Sequence, residues 1–162
     1  MNFKQFAFML FVVSSFTACK TGGNKTKGGF QYEVLQNGTG EPAKTNDFVF
    51  FTAKLVGDDG KVINEINNEE DLPSLQIPEE LPKGRESNPI LDVFKLAYAK
   101  VGGEYKLIMP IDSIPSAKAE FPNLKHFEYF ITVKKIMNQE EFNKMQEEKQ
   151  AEMAAKVEEQ KA

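Results

Sequence analysis

Residues 47–66 read DFVFFTAKLVGDDGKVINEI. Val49, Phe51, Ala53 and Leu55 alternate with Phe50 and Thr52, the two-residue period of a strand with one face turned inward. Gly57-Asp58-Asp59-Gly60 has the chemistry of a hairpin loop, and Lys61 to Ile66 resumes as the partner strand. A hairpin joins antiparallel neighbours without a crossover, so this stretch sets the architecture. The same period recurs at Phe30, Tyr32 and Val34, at Tyr105, Leu107 and Met109, and at Phe127, Tyr129, Ile131 and Val133. Asn37-Gly38-Thr39-Gly40 is a turn. Residues 67–88 are polar and Pro-rich around a short strand at Leu75–Ile77.

One helix interrupts the strands. Asn88 suits an N-cap and Pro89 the first helical position. Ile90, Phe94, Ala97 and Val101 follow at helical spacing, and Gly102-Gly103 is predicted to end the helix. Pro110, Pro115 and Pro122 bound a late loop. Several strands and one helix, with no alternation between them, predict an α+β domain: an antiparallel sheet with the helix covering one face.

Composition narrows the function. The chain has 162 residues, enough for one domain with a real core. Its formal net charge is -4, and nothing basic concentrates on the folded part. Nucleic-acid binding needs a phosphate-facing basic surface, so we expect no such partner. A single Cys and a single His, Cys19 and His126, make neither a disulfide nor a metal site. We expect no metal and no cofactor.

The two ends differ from the middle. Lys4 and the apolar run Phe6 to Val13 form a secretion signal over residues 1–18, too short to span a bilayer. Phe16-Thr17-Ala18-Cys19 resembles a bacterial lipobox, which implies a lipid anchor on Cys19. Lys20 after the Cys favours the outer membrane, with the domain facing the periplasm. Residues 19–28, rich in Gly, Lys and Thr, are expected to form a flexible tether. Residues 138–162 are dominated by Glu, Lys, Gln, Ala and Met, and predict a charged helical tail. Phe142, Met145, Met153 and Val157 give it a thin apolar stripe broken by Lys149. A solvated extension fits this best, and a protein partner on the 139–162 helix is the alternative.

Residues 29–137 resemble an FKBP-type peptidyl-prolyl cis–trans isomerase domain. The likeness runs through Tyr32 to Gly40, Asp47 to Leu55, Asp59 to Asn64, Val101 to Glu104, Met109-Pro110 and Tyr129 to Ile136, in the family's order. It implies an antiparallel half-barrel sheet wrapped on one helix. It also implies catalysis without nucleophile, metal or cofactor. An X–Pro bond faces a barrier of about 18–20 kcal/mol, and a dry apolar seat for the proline ring favours the twisted amide.

The pocket is carried over by position. The family's Tyr falls on Phe51, its Phe on Ile63 and its Asp on Asn64, uncharged but of the same shape. The closing-strand Phe falls on Tyr129. The floor Trp falls on Asp92, or on Val93 if one gap is allowed. The backbone N–H for the substrate carbonyl then belongs to Pro89, which has none, or to Ile90. Ile114-Pro115-Ser116 stands where the family carries a late Tyr. The candidate substrate pocket is therefore Phe51, Ile63, Asn64, Ile90, Val93 and Tyr129. The resemblance implies an envelope lipoprotein that isomerises proline-containing exported polypeptides. The alternative is a catalytically degenerate binding or scaffold lipoprotein with the same fold.

Overall fold

The computed structural model describes residues 23–159. The expected secretion signal over residues 1–18 and Cys19 lie outside the described residues. The strands are β1 (Asn24–Lys25), β2 (Gln31–Gln36), β3 (Phe48–Gly57), β4 (Val62–Ile66), β5 (Ser74–Gln76), β6 (Glu104–Pro110) and β7 (His126–Met137). The helices are α1 (Pro89–Leu96), α2 (Pro115–Glu120) and α3 (Gln139–Glu159). The sheet runs β1-β2-β6-β7-β3-β4, with β5 also paired to β3, and every pairing is antiparallel. Helix α1 lies against one face. This sheet wrapped on one helix is the α+β arrangement that the resemblance implied.

The hairpin of residues 47–66 forms as its alternation requires, with Leu55 opposite Asn64 and Ala53 opposite Ile66. Val49 and Phe51 enter the main core with Tyr32, Tyr105, Leu107, Ile131 and Val133. Phe94, on α1, meets Phe51 edge-on at 5.3 Å and Tyr105 at 6.3 Å between ring centroids. Such edge-to-face pairs add to the area term that buries the helix. The turn Asn37 to Gly40 sits against the segment after α1: the Thr39 N–H donates to the Val101 carbonyl at 2.8 Å. A Cβ on Gly38 would collide with the carbonyls of Lys100 and Val101, so only glycine fits there.

Helix α1 starts as expected, with Asn88 Oδ1 accepting the Ile90 N–H at 3.0 Å. It ends earlier than expected, at Leu96 rather than beside Gly102. The Ala99 N–H donates to the Phe94 carbonyl at 2.9 Å and the Tyr98 N–H to Lys95, the pairing of a Schellman close. Tyr98 occupies the left-handed position of that close, with φ 52°. Glycine usually stands there; a residue with a Cβ loses about 1–2 kcal/mol.

Three other segments depart from the sequence reading. Residues 23–28 are part of the domain: Asn24 pairs with Tyr32 and Lys25 with Gln31, and Thr26 is buried. Backbone groups drive this, since the segment has no apolar residue to signal a strand. The late loop contains a 3-10 turn at Ile111–Ser113 and then α2, started by Pro115. The tail helix follows β7 directly. Asn138 and Glu141 form a reciprocal capping box, each side chain accepting the other's backbone N–H at 2.9 Å. Phe142 then stacks on Phe48 with ring centroids 3.7 Å apart, and lies 6.2 Å from Phe50. The first turns of α3 thus cover the sheet face opposite α1, which explains why Phe50 is buried although it points away from the core. Beyond Met145 the helix is solvated through residue 156, with a Glu152–Lys156 ion pair at 2.7 Å. No helix among the described residues is long and apolar enough to cross a membrane.

Candidate functional site

Two apolar clusters meet on β7. The main one, under α1, holds Phe51 and Val93, with Ile90 and Tyr129 half-buried against it. The second holds Ile111, Ala117 and Phe127, with Leu55, Ile63, Ile114, Phe121, Leu124 and Tyr129 packed on it. Tyr129 belongs to both. The structure therefore gathers Phe51, Ile90, Val93 and Tyr129 on one side of a seam, and Ile63 with Tyr129 on the other.

Their accessibility divides them. Phe51 is 5% exposed and Val93 is sealed completely, so they form the floor beneath the seam. Ile63, Ile90 and Tyr129 are half-buried and are the members an incoming ring would touch. Burial pushes the Tyr129 hydroxyl above its ordinary pKa, so near neutral pH it is an uncharged O–H. Asn64 lies at the edge of the same sheet face, opposite Leu55, which is itself opposite Tyr129. It is exposed, and its Oδ1 accepts the N–H of Glu65 at 2.9 Å, satisfying a backbone donor of the outermost strand.

Two further positions bear on substrate binding. The Ile90 N–H is engaged by the Asn88 side chain, so a substrate carbonyl would have to share or displace that bond. Asp92, the other candidate for the floor position, is fully buried. Its Oδ2 accepts the Lys27 N–H at 3.0 Å and its Oδ1 accepts the Ser87 hydroxyl. It fastens the N-terminal segment to the start of α1 and takes no part in the seam.

The sequence reading missed the second wall. Phe121 and Phe127 meet edge-on at 5.6 Å, and Ile114 sits beside them. Phe127 shared a strand face with Tyr129 and could have been included on that ground. Phe121 carried no signal beyond an aromatic before a proline. No group of three or more His, Cys, Asp or Glu side chains that could hold a metal occurs among the described residues.

No family model matches the chain, and no curated protein matches it. Many solved structures are similar, among them the following three. FkpA from Escherichia coli is 22% identical, with a TM-score of 0.49 over 75% of this chain. The chain spans 54% of the length of FkpA. A peptidyl-prolyl cis–trans isomerase from Pseudomonas syringae pv. tomato is 15% identical, with a TM-score of 0.48 over 74% of this chain and 84% of that one. The N-terminal domain of FKBP42 from Arabidopsis thaliana is 13% identical, with a TM-score of 0.47 over 67% of this chain and 87% of that one.

Proposed function

We propose that this chain is an FKBP-type peptidyl-prolyl isomerase of the bacterial envelope, anchored by lipid on Cys19 at the outer membrane and acting on exported polypeptides in the periplasm. One observation carries the catalytic reading: Tyr129 stands half-buried where two apolar clusters meet, with Phe51 and Ile90 on one side and Ile63 on the other. A proline ring seated there leaves water, and the twisted amide, less polar than the planar one, is favoured in such surroundings.

A protease-coupled assay on a proline-containing peptide tests this. The protein is expected to accelerate cis-to-trans conversion, and Tyr129→Ala to lower kcat/KM by about ten-fold, the loss of roughly 1.4 kcal/mol of contact. Tyr129→Phe keeps the ring and is expected to keep the activity. No acceleration by the unmodified protein at micromolar concentration sinks the catalytic reading. The engaged Ile90 N–H favours a second reading, a module that holds prolyl segments without turning them over. Peptide binding without acceleration would select it.

The anchor has its own test. Cells expressing the full chain are expected to incorporate labelled palmitate into it, and Cys19→Ser to release it in soluble form. Membrane retention of unlabelled Cys19→Ser protein would refute the anchor.

A further inference from the structure

Among the described residues Tyr98 is the most exposed large apolar or aromatic side chain, at 71%, and it sits in the left-handed conformation that disfavours any side chain. Its ring returns little packing to the fold. A residue held at a backbone cost without a folding return points to an external contact. Leu96, 37% exposed, lies beside it. Both line a cleft of 560 Å³ with Lys27, Lys83 and Lys95. Lys95 Nζ donates to the carbonyls of Pro78, at 2.8 Å, and Glu79, which fixes the opposite wall.

The N-terminal segment brings this surface to the anchor. Lys27 lines the cleft, and it is tied to Asp92 directly after β1. Only residues 20–23 separate Cys19 from Asn24, and they span at most about 18 Å. A domain of this size has a radius of gyration of about 14 Å, so that maximum reach is about one domain radius. A domain held that closely turns the neighbourhood of β1 toward the bilayer.

We propose that Tyr98 and Leu96, framed by Lys27, Lys83 and Lys95, form a surface that rests on the lipid bilayer to which Cys19 is anchored. The proposal rests on the anchor reading. The chemistry is that of an interfacial belt: an amphipathic ring at headgroup level, with Lys27 and Lys83 reaching to the phosphates along their apolar stems while Lys95 holds the cleft wall. Glu79 and Glu80 share the rim, so the contact is set by ring and aliphatic burial more than by net charge. It should therefore depend little on salt.

The chain has no Trp and one Cys, which makes the test direct. The chain from Cys19 onward is coupled through its thiol to a maleimide lipid in vesicles of phosphatidylethanolamine and phosphatidylglycerol. Tyr98→Trp supplies the reporter and Met153→Trp, on exposed α3, the control. The emission of the Tyr98→Trp variant is expected to move to the blue and to be quenched about two-fold by brominated lipid, as for a ring at the interface. The control is expected to stay unchanged. Emission of the coupled Tyr98→Trp variant identical to that of its uncoupled form, or equal quenching of both reporters, overturns the proposal. Chemical coupling makes this result independent of whether the cell acylates Cys19, which palmitate labelling reads separately. Tyr98→Gly supplies a second measurement: it is expected to raise the folded-to-unfolded ratio about five-fold or more by relieving the left-handed strain. An unchanged or lower ratio would remove the premise that the ring is kept for something other than folding.

Discussion

Phe51→Ala is expected to lower the unfolding free energy by about 3–5 kcal/mol, read from the urea midpoint at unchanged slope. Phe51 is nearly sealed, and its ring is one half of the edge-on pair with Phe94. Removing it leaves a void between β3 and α1 that the fully buried Val49, Val93 and Val133 cannot close without moving. A loss below about 2 kcal/mol would mean that the site collapses and that the core is looser than this packing. The effect also governs how the pocket is probed. Phe51 is a floor residue, so activity comparisons belong on Phe51→Leu, which fills most of the space and keeps the fold. A fall in kcat/KM of Phe51→Leu with an unmoved urea midpoint would give the ring a role in catalysis.

Asp92→Ala is expected to cost about 3 kcal/mol, because the buried Ser87 hydroxyl and the part-buried Lys27 N–H lose their acceptor together. The Lys27 N–H and the Ser87 hydroxyl both point at it. Asp92 stands in the first turn of α1, so the same side chain ties the helix start to both Ser87 and the N-terminal segment. Asp92→Asn keeps one acceptor oxygen and is expected to lose about half as much. Hydrogen exchange supplies the second readout. The Lys27 and Tyr32 amides should exchange faster in Asp92→Ala while those of β3 and β7 follow only the global change. Unaltered protection of the N-terminal segment would show that β1 holds itself without the carboxylate.

The strands and their order were legible because most of them bury one face. The alternation in β2, β3, β6 and β7 is strict enough to read directly, and Asn88-Pro89 announced α1. What escaped was structure built from backbone rather than from side chains. β1 has no apolar residue. The end of α1 is closed by a Schellman pairing with Tyr98 where a glycine would have signalled it, so the periodic Ala97 and Val101 extended the expected helix too far. Phe142 looked like a member of a thin stripe on a free helix, and its stacking on Phe48 depends on α3 leaving β7 without a loop.

The site was legible as a set of residue types and less so as a geometry. Phe51, Ile90, Val93 and Tyr129 converge because strand and helix periods place them on facing surfaces. Asn64 shares a cross-strand row with Leu55 and Tyr129, and is exposed because β4 is the outermost strand of the sheet. The engagement of the Ile90 N–H was implicit in Asn88 itself: a side chain that caps a helix takes up the N–H groups of the first turn. The wall formed by Phe121 and Ile114 required knowing that the late loop folds back through α2, which no local pattern states.

Asp92 also has a mechanical consequence. A pull on the N-terminus meets β1 first, where two residue pairs open in succession like a zip. The load then reaches Thr26 and Lys27, where the two Thr26–Phe30 bonds and the Lys27 N–H on the Asp92 carboxylate are loaded together. The segment thus yields by a short peel and then stops, so that a pull from this end is borne by the start of α1 before it can disturb the seam around Tyr129.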